Sequence, residues 1–209
     1  DGKILTLENF GSYAIFDDDS FTFKRQVSSG SAFANVIIDH GNSPENEGYA
    51  YAVLPGKDYE STKESLKDIE IIANNDKCQA IRDKSTGKLM ISAYEKCEIE
   101  GIRIVTPCEL IINEEEGKIY VGDPSHESKY IDIVFPADYE IVQTKSVSKN
   151  KDRIRIDVST DRGATFEIKF GKKSDNSSIQ LKDYYINLKS GMFTVNFKNY
   201  DSKSYKYFI

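Results

Sequence analysis

The sequence predicts an all-β protein, an antiparallel β-sandwich followed by a smaller C-terminal β-sandwich, and three observations carry that expectation. Apolar runs recur with turn signals about every 8–14 residues, the cadence of sandwiches rather than of parallel βαβ units. Several runs alternate strictly, as in Arg153-Ile154-Arg155-Ile156-Asp157-Val158, which gives a strand one dry face and one wet face. Tyr (13) and Phe (11) are plentiful, and aromatic side chains suit a pleated, half-buried surface.

In chain order, Ile4–Leu7 and Tyr13–Phe16 are short apolar strands, and the acidic run Asp17-Asp18-Asp19-Ser20 turns the chain. Residues 21–27 alternate and read as a half-buried strand. Ser28-Ser29-Gly30-Ser31 is a turn. Phe33–Asp39 is a more continuous apolar run of the kind found in a central strand. His40-Gly41-Asn42-Ser43-Pro44 ends it, and Tyr49–Leu54 closes at Pro55-Gly56. The single helical stretch is placed at Ser61–Lys67, with Ser61 and Glu64 spaced as a capping box. Strands follow at Ile69–Ala73, Cys78–Arg82, Lys88–Tyr94, Ile102–Thr106, Glu109–Asn113 and Lys118–Val121. Ser85-Thr86-Gly87 and Glu114-Glu115-Glu116-Gly117 form turns between them. Tyr130–Phe135, Tyr139–Thr144, Arg153–Ser159, Thr165–Phe170, Ile179–Asn187 and Met192–Phe197 complete the series. A division near Pro107–Cys108 gives two expected domains, 1–108 and 109–209.

At 209 residues the chain can bury its cores without disulfides or metal. Three cysteines, Cys78, Cys97 and Cys108, show no metal or redox spacing, and an odd count speaks against a disulfide framework. They are expected to be buried thiols acting as small hydrophobes. Two histidines, His40 and His126, are too few for a multi-histidine metal site. There is no phosphate-binding Gly-rich loop and no Gly-x-Ser-x-Gly elbow. No run of about 18 apolar residues spans a membrane, and neither a membrane nor a nucleic-acid partner is expected. No basic segment leading into an apolar stretch follows Asp1.

Some residues merit weighing as sites. His40 ends an apolar strand, where catalytic residues are often found, but turn-forming Gly41 and Asn42 follow it. A structural ring bonded to loop backbone is the preferred reading. His126, between Ser125 and Glu127, is expected to be exposed. The acidic triplets at 17–19 and 114–116 lack EF-hand spacing and read as solvated turns, with a structural Ca²⁺ left open. Tyr184, Tyr185, Tyr200, Tyr205 and Tyr207 are either sugar-stacking platforms or ordinary core and edge residues. The formal charge of −6 is uneven: residues 1–144 balance at −13 and residues 145–209 at +7. Lys145, Lys149, Lys151, Arg153, Arg155 and Arg162 form a basic region that can attract a polyanion.

The stretch Phe33-Ala34-Asn35-Val36-Ile37-Ile38-Asp39-His40-Gly41-Asn42-Ser43-Pro44, with its continuation from Glu45 to Pro55, resembles the family 8 polysaccharide lyases that degrade chondroitin and hyaluronan. Two later pieces resemble that family in the same order. One is Asn74-Asn75-Asp76-Lys77-Cys78-Gln79-Ala80-Ile81-Arg82. The other runs from Thr106-Pro107-Cys108-Glu109-Leu110 to Tyr120-Val121-Gly122-Asp123-Pro124-Ser125. Residues 130–209 match no motif but have the length of the family's last β-domain.

The resemblance implies the end of a large central super-sandwich followed by a smaller C-terminal sandwich, preceded in the parent enzyme by an α/α toroid. It implies β-elimination of a uronate-containing glycosaminoglycan, which requires acidifying the proton beside the carboxylate and transferring it. The family's catalytic segments precede the part resembled here, so no catalytic residue, carbohydrate-binding residue or metal ligand is assigned, His40 included. No cofactor is implied. This chain alone is expected to be inactive, supporting the toroid and contacting an acidic polysaccharide. Secretion or periplasmic export is implied in the same way. The alternative is a stand-alone carbohydrate-binding or cell-surface β-sandwich module.

Overall fold

The computed structural model describes residues 3–16, 21–45, 47–172, 179–187 and 192–199. The described residues are all-β with one short helix. β1 (Ile4–Leu7), β2 (Gly11–Ile15) and β5 (Tyr51–Pro55) form an antiparallel sheet with β2 in the centre. Gly11 has φ 131°, and a Cβ there would lie 2.3 Å from the Leu54 carbonyl oxygen, so only glycine fits. β3 (Phe21–Ser28) and β4 (Ser31–Ile38) make a separate hairpin. The continuous apolar run of β4 reads as a strand covered on both faces, yet among the described residues β4 pairs with β3 alone, and Phe33 and Ile37 are exposed.

Helix α1 (Tyr59–Leu66) begins earlier than the Ser61 capping box predicts. Asp58 is the N-cap, and its carboxylate accepts from the Ser61 backbone N–H at 2.8 Å. Asp58 stands directly ahead of the first helical residue, where its carboxylate reaches the N–H three residues on, the position an N-cap requires. The Ser61 hydroxyl is already inside the first turn.

A two-sheet sandwich occupies residues 69–172. Its strands in chain order are β6 (Ile69–Asn74), β7 (Cys78–Asp83), β8 (Lys88–Ala93), β9 (Cys97–Ile99), β10 (Ile102–Ile104), β11 (Cys108–Asn113), β12 (Lys118–Gly122), β13 (Tyr130–Val134), β14 (Tyr139–Ile141), β15 (Val147–Asn150), β16 (Arg153–Asp157) and β17 (Thr165–Lys172). One sheet runs β14-β17-β12-β11-β8-β7-β6, the other β15-β16-β13-β10-β9. Inward residues of both sheets form one core, in which Ile104, Ile112, Ile119, Ile133 and Ile154 are wholly shielded from solvent. Beyond it, β18 (Ile179–Asn187) and β19 (Met192–Asn199) pair as a hairpin.

Position 108, the expected domain division, is the first residue of β11. β11 pairs with β8 on one side (Cys108↔Ala93) and with β12 on the other. Strands from both sides of 108 therefore share sheets and one core. Pro107 interrupts the apolar pattern without ending the unit, because it falls in the short connection between the two sheets.

Candidate functional site

Two surfaces bring together side chains that the sequence singles out. The first surrounds His40. After β4, the Asp39 carboxylate accepts from the Gly41 N–H at 2.9 Å, and Gly41 takes φ 75°, which turns the chain sharply. The His40 ring lies 3.9 Å by Nδ1 from the Glu47 carboxylate and 6.3 Å by centroid from Tyr49. Tyr49 and Tyr51 are two residues apart on an extended segment. Their side chains share a face, with rings 6.1 Å apart at 21°.

These side chains border a cavity of about 550 Å³ together with Tyr13 and Asn35. A polar chain anchors the platform to the seven-stranded sheet. Asn74 Nδ2 donates to the Tyr49 carbonyl (3.1 Å), Gln79 Nε2 donates to Asn74 Oδ1 (3.2 Å), and Tyr94 OH donates to Gln79 Oε1 (3.0 Å). Half-exposed aromatic faces beside amide and hydroxyl groups can stack on a sugar ring and hydrogen-bond its rim. The sequence singled out His40 at the end of its apolar run, whereas Tyr49 and Tyr51 were read only as part of the Tyr49–Leu54 strand. The Asn74–Gln79–Tyr94 chain depends on strand register and was missed.

The second surface is the edge hairpin β15–β16. Lys149 and Lys151 border a 320 Å³ cavity with Phe135, Pro136, Tyr139 and Asp152. Arg153 lies one strand away on β16, while Lys145 precedes β15. Arg162 sits apart, in the turn before β17. Two of the six basic side chains make hydrogen bonds within the fold. Arg155 forks onto Asp132 with Nε–Oδ1 at 2.8 Å and Nη2–Oδ2 at 2.7 Å, and its guanidinium lies over the Tyr130 ring. Those charged hydrogen bonds hold the Asp132 carboxyl below its usual range. Lys149 Nζ donates to the Tyr139 carbonyl at 3.4 Å.

The other expected sites do not converge. In the 114–117 turn, Glu114 pairs with Lys172 at 2.7 Å and Glu116 approaches Lys118 at 3.6 Å, so the carboxylates serve separate lysines. Among the described residues, no group of three His, Cys, Asp or Glu side chains is arranged to hold a metal ion. The triplet at 17–19 and Tyr200, Tyr205 and Tyr207 lie outside the described residues, as do the side chains of Tyr184 and Tyr185. His126 is exposed, and its ring sits against Gly163.

Asp123 instead organises the loop after β12. Its carboxylate accepts from the Ser125 N–H (3.0 Å), the Ser125 hydroxyl (2.6 Å) and the Ser128 N–H (2.7 Å). Burial pushes this carboxyl up, but the bonds from Ser125 and Ser128 outweigh it and hold the group below its usual range.

Residues 70–132 match the model of polysaccharide lyase family 8, C-terminal β-sandwich domain. The chain is 30% identical over 151 residues to the hyaluronate lyase HylB of Enterococcus faecalis, covering 69% of this chain and 14% of that protein. It is 32% identical over 149 residues to chondroitinase-AC of Pedobacter heparinus, covering 68% of this chain and 20% of that one. The chain thus spans a fifth or less of the length of these two relatives. In fold it is similar to the chondroitin AC lyase of Streptomyces coelicolor A3 in complex with chondroitin sulphate, with a TM-score of 0.65 at 16% identity. That match covers 81% of this chain and 26% of the lyase.

Proposed function

We propose that this chain, which carries the C-terminal β-sandwich region of a family 8 polysaccharide lyase, is the non-catalytic C-terminal portion of an enzyme that cleaves glycosaminoglycans by β-elimination. The observation that carries this reading is the pairing of two coverages. About two thirds of the chain aligns with a hyaluronate lyase and with a chondroitinase, yet it accounts for only 14% and 20% of them. Catalysis is accordingly assigned to the remainder of an exported parent protein, in an α/α toroid that this sandwich supports. Expressing the longer protein with and without the sandwich, and following release of unsaturated uronate, tests the assignment. Activity should require the longer protein and fall when residues 69–172 are deleted. A deletion variant that folds and retains full activity would remove the supporting role.

Contact with the acidic polysaccharide is the second part of the reading, and the β15–β16 edge favours it. Lys149 and Lys151 place positive charge beside Phe135 and Tyr139, Arg153 adds to it from the first position of β16, and charge of that sign attracts a polyanion in a salt-dependent way. Reversing the three charges to Glu should shorten retention on a chondroitin sulfate column at low salt. Unchanged retention would exclude this edge as the contact.

A further inference from the structure

Tyr49 and Tyr51 are each more than half exposed, at 56% and 55%, yet the backbone beneath them is fixed at every step. The Tyr49 carbonyl accepts from Asn74 Nδ2 (3.1 Å), and the Ala50 carbonyl accepts from the Phe16 N–H (3.0 Å). Tyr51 opens β5 in register with Ile15 of β2. Large aromatic faces turned to solvent are therefore carried on an ordered segment. A ligand that stacks on them has little backbone left to order, which favours binding.

The two rings border two hollows. One is the cavity of about 550 Å³, within the ~300–1,000 Å³ range of small-ligand sites. Leu7, Ile15, Val36 and Ile38 give it apolar walls, and Asn35 and His40 add polar groups. The other is a cleft of about 180 Å³ with Asn74 and Gln79 in its wall. Among the described residues, no Lys or Arg side chain lines either hollow. The charge beside them is negative. The Glu47 carboxylate stands 3.9 Å from His40 Nδ1, and the Asp39 carboxylate holds the Gly41 N–H. An anionic ring would meet like charge here.

We propose that the Tyr49–Tyr51 platform and its larger cavity form a binding site for an uncharged N-acetylhexosamine residue of a polysaccharide. The apolar face of the pyranose stacks on a tyrosine ring. The acetamido group joins a methyl, which suits the aliphatic walls, to an amide that donates and accepts among Asn35 and His40. A plain hexose brings no apolar substituent to those walls. A uronate or a sulfated ring brings a charge that the rim opposes. The site shares no residue with the β15–β16 edge, and it does not rest on the lyase reading.

The test is a titration of the isotope-labelled 209-residue chain with N,N′,N″-triacetylchitotriose, followed by amide chemical shifts. The amides of Asn35, Tyr49, Ala50 and Tyr51 should move, and the Kd should be the same from about 0.05 to 0.5 M NaCl, because no charge is neutralised. Cellotriose, which lacks the acetyl groups, should bind at least about 4-fold more weakly, the effect of one methyl left unburied. Tyr49→Ala and Tyr51→Ala should each weaken binding roughly 3–10-fold, while Tyr49→Phe and Tyr51→Phe keep the stacking faces and most of the affinity. Reversing the charges of Lys149, Lys151 and Arg153 should leave this Kd unchanged, which separates the site from the polyanion contact. No shift at residues 49–51, equal affinity for cellotriose, or binding that weakens as salt rises would overturn the proposal.

Discussion

Replacing Asp123 with Ala removes the acceptor for two backbone N–H groups and one hydroxyl in the loop after β12. The carboxylate is 4% exposed, and its three partners lie at 2.6–3.0 Å. A hydrogen bond to a charged group contributes about 1.5–3 kcal/mol. Donors in a surface loop recover part of this from water, so the expected loss is about 3 kcal/mol rather than the full sum. For a chain of this size that is a fall in Tm of roughly 6–12 °C.

The pH dependence has a definite sign. The folded-state carboxyl titrates below its unfolded value of about 3.9. Its contribution is therefore whole above that value and is lost as pH falls through the folded value. Urea unfolding of wild type and Asp123→Ala at pH 7 and near pH 3 should show a gap that narrows at the lower pH. Asp123→Asn keeps an oxygen for Ser125 but turns an amide donor toward the Ser128 N–H, so its loss should be intermediate and independent of pH. A gap below about 0.5 kcal/mol at pH 7, or an equal gap at both pH values, would refute the clamp.

Ile112→Ala empties a fully buried position between the two sheets and should cost about 3–4 kcal/mol in chemical denaturation. Gly117→Ala puts a Cβ 2.7 Å from the Phe170 carbonyl oxygen at φ 62°. It should destabilise by about 2 kcal/mol or more, measured by the urea midpoint. Asp58→Ala should lower Tm whereas Ser61→Ala leaves it nearly unchanged, because Ser61 enters the cap through its backbone N–H; equal effects would restore the Ser61 cap. Arg155→Lys loses the two-pronged contact with Asp132 and should cost about 0.5–1 kcal/mol, most of it suppressed by 1 M salt.

Strands with several alternating residues were legible in the sequence. Residues 153–157 and 88–93 were placed to within one or two positions, because their inward Ile and Leu repeat with period 2. β9 and β15 were missed. Cys97–Ile99 has only two inward residues among Lys96, Glu98 and Glu100, and Val147–Asn150 has one fully buried residue, Val147. Runs this short hold no period. The unbroken apolar run of β4 misled in the other direction, since apolarity alone does not say whether a neighbour covers the second face. For the same reason the division at 108 was not legible as a strand start. Pro107 looks like a boundary in one dimension, and only the register with β8 shows that the sheet continues through it.

The candidate surfaces were legible in part. Lys149, Lys151 and Arg153 are near neighbours in sequence and remain so on their hairpin. The Asp132–Arg155 fork joins residues 23 apart and follows from the pairing of β13 with β16.

The assignment of catalysis outside this chain is tested most directly by incubating the purified 209-residue protein with chondroitin sulfate and with hyaluronan while following ultraviolet absorbance of the unsaturated uronate. A flat trace is expected with both polymers at every protein concentration. A rise that scales with protein concentration would place a lyase centre within these residues and contradict the assignment.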